Sequence, residues 1–268
     1  MKFLVSNYAT PWNTEPFYIS AALSSVGVES KVFDPRSSIY DELDKFDPSV
    51  IVTHIGHISK SMLHYFLHVK KIQMLINVGE ATIENIDALA SSLKQNNIEA
   101  VFFGEKDLSI KSGTYIKVQQ CADIFLQNGS RKYNIDKLIF VQNAEDIVDL
   151  DGSYHYTTNI DELSSVVDFI LPIHVLNTLF CNYDEIIFKG GSYVGSELAF
   201  NAIYSGAKVI FDTNDAHNLE KINTIFKSGK LLSSVKNRHT CLHRVKSLLS
   251  QLNCKDITDK LEREIEKL

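Results

Sequence analysis

No apolar run in the 268-residue sequence approaches the roughly 18 residues of a membrane-spanning helix, which argues against a helical membrane protein. The opening MKFLVSNYATPW is apolar over too short a stretch for a signal peptide and offers no small-residue cleavage site. Cysteine is scarce. Cys121, Cys181, Cys241 and Cys254 are scattered without paired spacing, so a disulfide framework is disfavoured and reduced thiols in a cytoplasm are expected. Internal repeats and low-complexity tracts are absent. The turn after the first apolar run, SNYATPWNTEP, contains no glycine. A dinucleotide-binding turn needs glycine for its tight bend and for backbone approach to pyrophosphate, so an NAD or FAD dehydrogenase is disfavoured. One further absence concerns charge: from Lys221 to Lys255 there are eight Lys or Arg and no Asp or Glu. With an overall net charge of −6, the rest of the chain must then sum to −14. A block this basic suggests a phosphate-bearing partner, a diphosphate or a nucleic acid backbone, or else a solvated basic face.

Hydrophobic residues at 44% and charged residues at 22% are those of an ordinary globular protein. The length suits one large domain or two of about 130 residues. KFLVS, ESKVFD, SVIVTHI, QMLINV and EAVFFG read as strands, alternating with helical patterns over 15–27, 60–69 and 83–96. YIKVQQCADIFLQN (115–128) reads as a strand running into a helix or turn. Around 128–151 the pattern weakens, marking a boundary. KLIFVQ, SYHYTTN, VDFILPI and DEIIFKG then read as strands, followed by a helix near 195–205, a strand at 208–212 and helices over 216–228, 238–252 and 256–268. This alternation predicts an α/β protein of two doubly wound, Rossmann-like halves facing across a cleft, 1–130 and 131–268, the terminal helix able to pack back on the first half. In such sheets ligands sit beyond the carboxyl ends of the strands.

Three groups of residues are candidates, two of them at those ends. In the first half, Asn7, Tyr8, Thr10, Trp12 and Glu15 line the glycine-free turn, with stacking surfaces suited to an acceptor and a carboxylate as a possible base; packing of the loop is the competing explanation. His54 and His57 end the third strand, and Glu80 the next, as further base candidates. His64 and His68 share a helix face, but with no acidic or cysteine ligand beside them no metal site is expected. In the second half, Lys189-Gly190-Gly191 ends a strand, and Ser192, Tyr193, Gly195, Ser196 and Glu197 lead into a helix whose amides and dipole favour an anion. Glu197 could bind the two hydroxyls of a ribose or simply complement the helix dipole. Last, Arg238, His239, Thr240, His243 and Arg244 fall in one helical pattern, with the two imidazoles one turn apart and cations placed to meet a diphosphate.

SELAFNAIYSGAKVIFDTND followed by NRHTCLHRVKSLLSQL resembles the C-terminal half of GT-B glycosyltransferases, nearest to the group with a spore-maturation-protein-like C-terminal domain. Members of that group show an acidic residue opening a helix and later His-Thr-Tyr-x-His-Arg, here His239 to Arg244 with Cys241 in place of the tyrosine. The resemblance covers about 70 residues. It implies that Glu197 binds the ribose of a nucleotide-sugar donor, UDP-linked by preference, and that Gly190 to Ser196 face the diphosphate. It also implies that the reaction needs no cofactor and no catalytic metal. Many retaining members carry a second glutamate where this chain has Lys189, which leaves the stereochemical course open and suits a cation facing the leaving diphosphate. Phage enzymes that glycosylate hydroxymethylated cytosine are GT-B-like too, so duplex DNA in a host cytoplasm is expected as acceptor ahead of a cell-envelope saccharide. A non-catalytic module of the same fold and another Rossmann-type sugar-nucleotide enzyme are the alternatives.

Overall fold

The computed structural model describes residues 1–9, 14–36, 39–68, 72–125, 135–140, 154–157, 180, 183–190, 193–226, 230–252 and 254–268. They fall into two compact units, Met1–Gln119 with Cys241–Leu268, and Gln120–Thr240. The first unit contains β1 (Lys2–Ser6), α1 (Glu15–Ser25), β2 (Glu29–Phe33), α2 (Ile39–Phe46), β3 (Val50–His54), α3 (Lys60–His68), β4 (Gln73–Asn77), α4 (Ile83–Gln95), β5 (Ala100–Gly104) and β6 (Thr114–Lys117). The second contains β7 (Ile135–Phe140), β8 (Tyr154–Thr157), β9 (Tyr183–Lys189), α5 (Glu197–Tyr204), β10 (Lys208–Asp212), α6 (Ala216–Ile225) and α7 (Leu231–Arg238). The chain then returns to the first unit as α8 (Cys241–Leu249) and α9 (Lys255–Ile265).

The first unit is built on a six-stranded parallel sheet in the order β2-β1-β3-β4-β5-β6. Its inner strands, β1, β3, β4 and β5, are apolar on both faces, as strands covered on both sides must be, while the edge strands β2 and β6 are partly exposed. Leu4, Ile51, Met74, Ile76 and Phe102 share one core with Leu43 of α2, Met62 and Phe66 of α3, and Ile86, Ala90 and Leu93 of α4. The residues that alternate with them, Phe3, Val5, Val50, Val52 and Leu75, are equally buried. α1 packs against β1, β2 and α8. Thr82 caps α4 by accepting from the Asn85 amide, and α1 ends at Gly27, whose φ of +76° lets Val28 bond back to Leu23. Because β2 lies on one side of β1 and β3 on the other, the winding reverses between β1 and β3.

The second unit carries a four-stranded parallel sheet, β10-β9-β7-β8, whose reversal lies between β7 and β9. Its core is aromatic. Phe188 stacks on Phe140 at 4.9 Å and on Phe211 at 5.7 Å, and Phe200 meets Phe226 edge-on at 5.9 Å. Both units are thus α/β with parallel sheets, and the expected βαβ alternation runs through β1 to β5 and through β9–α5–β10.

Three expectations are revised. A single helix over 238–252 does not form: α7 stops at Arg238, His239 leaves helical geometry at φ −125°, ψ 36°, and Thr240 bridges to Ala122 before α8 begins. The Ala122 N–H donates to the His239 carbonyl at 2.7 Å, which holds this crossing extended. In place of a boundary at residue 130, the second unit runs from Gln120 to Thr240, and α8 as well as the terminal helix belongs to the first unit. The reason is the apolar stripe of α8, whose Val245, Leu248 and Leu249 are buried where the helix packs on α1. Finally, α2 was not expected, although Ile39, Leu43 and Phe46 recur at helical spacing and pack on the core; the helix is only eight residues long and Leu43 alone is fully buried. The VDFILPI segment lies outside the described residues.

Candidate functional site

At the β1/β3 reversal, the carboxyl ends of neighbouring strands present Ser6, His54 and Asn77. His54 caps the 3-10 turn Ile55–His57, its Nδ1 accepting from the Gly56 N–H at 3.1 Å. The turn swings His57 back so that its Nδ1 lies 3.1 Å from the buried Ser6 Oγ. The two imidazole centroids are 5.8 Å apart, with the Tyr8 ring 5.8 Å from His54 and 6.4 Å from His57. Gly79 completes the wall. Its φ is +51°, and a Cβ there would stand 2.4 Å from His54 Nε2. Its N–H donates to Asn77 Oδ1 at 2.8 Å.

Behind these rings lies a buried charge network. Glu15, at the start of α1, accepts from the Tyr8 hydroxyl at 2.8 Å, the Tyr18 hydroxyl at 3.2 Å, the Asn77 amide and the Arg244 guanidinium. The side chains of Glu15 and Arg244 are 1% and 6% exposed. Arg244 also donates to the Gln119 carbonyl at 2.7 Å. Glu15 was expected as a base candidate and Arg244 as a donor ligand of the second half; both instead belong to one network inside the first unit. A buried carboxylate is tolerable only when paired and hydrogen-bonded, and each of these contacts meets that need. Tyr8 has the same cause: burial, with Glu15 adding to it, pushes its hydroxyl well above the ordinary range, so it remains a donor. Glu80 is exposed to solvent and pairs with Lys106. Asn7 Oδ1 accepts the Ala9 N–H at 3.1 Å. Thr10 and Trp12 lie outside the described residues.

Burial first, and the neighbouring His57 second, push His54 below its ordinary value of 6.5, while Glu15 acts in the opposite sense. The folded chain therefore resists a proton that the unfolded chain accepts near pH 6.5. That contribution to stability is whole above 6.5 and is lost as pH falls toward the lowered folded value. Melting temperature measured between about pH 7.5 and pH 5 is expected to fall more steeply for the native chain than for His54→Gln; parallel slopes would show that His54 carries no such linkage.

In the second unit, β9 and β10 run in register to Lys189 and Asp212, whose charged groups lie 3.9 Å apart. Gly190 follows at φ +87° and donates its N–H to the Asp212 carbonyl at 3.1 Å. Tyr193 packs on Phe188 and Phe140, 5.3 and 5.8 Å between centroids. Gly195, at φ +80°, leaves no room for a Cβ, which would meet Ile225 at 2.9 Å. Ser196 caps α5 by accepting from the Ala199 N–H, and the Glu197 N–H donates to the Gln120 side chain. The end of α5 thus spends two of its amides on protein groups, fewer being left for an anion than the glycine pattern implied. Asn201 is buried and accepts from the Asp123 N–H at 2.8 Å. Gly191 and Ser192 lie outside the described residues.

The His239–Arg244 group divides. His239 is buried with its ring stacked on Phe200 at 4.8 Å, and Thr240 is fully buried. His243 and Arg244 stand on α8 in the first unit, so the two histidines share no helix face. The acid-free block divides with them. Lys221, Lys230, Lys236 and Arg238 belong to the second unit, while Arg244 and Lys246 of the first are matched by Glu15 and Glu262. Among the described residues no group of three His, Cys, Asp or Glu is placed to hold a metal ion, and no helix is long and apolar enough to cross a membrane. Ser6, Asn77 and Gly79 were missed as site residues. Their signal was a polar residue, or a glycine just beyond it, ending an otherwise apolar strand.

No protein-family model matches the chain, and no curated protein does. Among solved structures, the chain is similar to a spinosyn rhamnosyltransferase, SpnG, complexed with thymidine diphosphate, at 10% identity and a TM-score of 0.39, covering 98% of this chain and 96% of that one. It is similar to Anabaena Alr3699/HepE in complex with UDP and glucose, at 9% identity and a TM-score of 0.45, covering 100% of both. It also aligns with the periplasmic binding protein component of an arabinose transporter from Shewanella sp. ANA-3, at 11% identity and a TM-score of 0.28, over 100% of this chain and 95% of that one. These scores are too low to carry a residue role from those proteins to this chain.

Proposed function

We propose that the chain is a glycosyltransferase of the GT-B type, moving a sugar from a nucleoside diphosphate sugar, UDP-linked by preference, to a hydroxyl acceptor without a catalytic metal. The observation that carries this reading is the β9–turn–α5 unit. A parallel strand beside the sheet reversal ends in Lys189 and Gly190, and the helix that follows opens with a carboxylate, Glu197, in its first turn. That order suits a donor: a cation near the departing diphosphate, a backbone turn able to lie close to it, and a carboxylate able to accept from two ribose hydroxyls. The acceptor side falls to the first unit, at Tyr8, His54 and His57. An acceptor of saccharide type draws more support than DNA, because the basic block that suggested a nucleic acid is split between the units and partly neutralised.

UDP is expected to raise the melting temperature of the native chain, by an amount corresponding to about 2.7 kcal/mol at a hundred times its Kd. Glu197→Ala is expected to abolish that shift while leaving the melting temperature without ligand nearly unchanged. No shift with UDP or any other nucleoside diphosphate would overturn the reading.

A further inference from the structure

The directions of the hydrogen bonds on His54 and His57 decide what these rings can do. Ser6 is fully buried, and among the described residues the one hydrogen-bond partner of its hydroxyl is His57 Nδ1, 3.1 Å away. Ser6 Oγ carries a proton that must go somewhere, since buried donors are rarely left without an acceptor. Were His57 Nδ1 protonated, both partners would offer hydrogens to that single contact and the serine proton would have no destination. Ser6 therefore donates, and Nδ1 accepts. On His54 the direction follows from chemistry alone: Nδ1 faces the Gly56 amide, which can only donate. Both Nδ1 atoms are lone-pair sites already in use, so each neutral ring carries its hydrogen on Nε2.

The pair then presents two Nε2–H donors side by side, with ring centroids 5.8 Å apart and both side chains partly open to solvent. Neither ring has an unused lone pair. A proton on Nδ1 would cost His54 its bond to Gly56, and on His57 it would reverse the bond to Ser6 and leave the serine hydrogen without an acceptor among the described residues. Gly79 is what lets His54 sit where it does, because a Cβ there would stand 2.4 Å from Nε2 and displace the ring. Arg244, Lys106 and Lys117 are paired with Glu15, Glu80 and Asp107. Two neutral N–H donors suit an oxygen that carries no formal charge.

We propose that His54 and His57 form a paired hydrogen-bond donor site for uncharged oxygens of the acceptor, hydroxyl or carbonyl, and that neither ring is the base that removes the acceptor's proton. Ser6 is the positioning residue that sets the His57 tautomer. The identity of the ligand as an acceptor rests on the glycosyltransferase reading; the tautomers do not.

Long-range imidazole nitrogen–proton spectra of the full chain test the tautomers directly, recorded above the ordinary histidine pKa of about 6.5. Both rings are expected as Nε2–H forms, with signals assigned from His54→Gln and His57→Gln. Ser6→Ala is expected to shift the His57 Nδ1 signal and leave that of His54 in place. A His57 ring protonated on Nδ1 would overturn the proposal. In a transfer assay His57→Gln, whose amide N–H can stand where Nε2–H stood, is expected to keep about tenfold more activity than His57→Ala, the worth of roughly one neutral hydrogen bond. Equal loss in the two variants, each checked for an unchanged melting temperature, would assign the proton to His57 and overturn the donor role. Inorganic phosphate is expected to leave both Nε2 signals unmoved, and a saturable shift would replace the uncharged ligand by an anion. Tautomers as assigned, with no transfer from any sugar nucleotide, would remove the glycosyltransferase reading and leave the donor pair standing.

Discussion

Arg244→Met is expected to lower stability by about 3–5 kcal/mol in chemical denaturation, the usual cost of removing one partner from a buried ion pair. The replacement fills much of the same volume, so the loss reports charge rather than a cavity. Glu15 would be left among Tyr8, Tyr18 and Asn77, which offer neutral hydrogen bonds but no positive charge. Such a carboxylate must either take up a proton or draw in water, and both distort the start of α1. The double variant Glu15→Gln/Arg244→Met should recover part of the loss, because a neutral amide can still accept from Tyr8. A loss below about 1 kcal/mol would mean that the pair contributes no more than a surface ion pair. The same substitution frees the Gln119 carbonyl, so the crossing beside α8 should exchange its amides faster.

Phe188→Ala is expected to cost about 3–5 kcal/mol, as large-to-small changes at fully buried aromatic positions do. Phe188 lies between Phe140 and Phe211 and also supports Tyr193, so the cavity opens at the centre of the second unit's sheet rather than at its rim. It directly precedes Lys189. If the turn after β9 holds a nucleotide, the melting shift produced by UDP should shrink in this variant more than in a variant of equal cost in the first unit, Met74→Ala for instance. Equal shrinkage would separate the turn from nucleotide binding. A loss under about 1.5 kcal/mol would show that neighbouring rings close the gap.

How much was legible in advance differs between strands and site. Apolar runs bounded by polar residues marked β1, β3, β4, β5, β9 and β10, because strands buried on both faces leave little choice of side chain. The same composition made their last residues conspicuous, and His54 was read that way. Ser6 and Asn77 were not, since serine and asparagine at a strand end are ordinary turn residues by sequence. The segment around His239 misled for a related reason. Arg238 to Leu252 has helical periodicity throughout, and nothing local announces that Thr240 bridges to a residue more than a hundred positions earlier.

By itself the sequence determined the class: parallel α/β units, a first turn without the glycines a dinucleotide demands, and a glycine turn leading from a strand to a helix that opens with Glu197. Those follow from local rules of burial, period and backbone freedom, which act over a few residues. Only the tertiary structure decided that Glu15 and Arg244 neutralise each other, that His239 stacks in a core while Arg244 joins the other unit, and that Ser6 and Gly56 direct the two histidines. Each of these depends on which groups meet after the chain has folded, and charge, pairing and tautomer are properties of the meeting rather than of the residue.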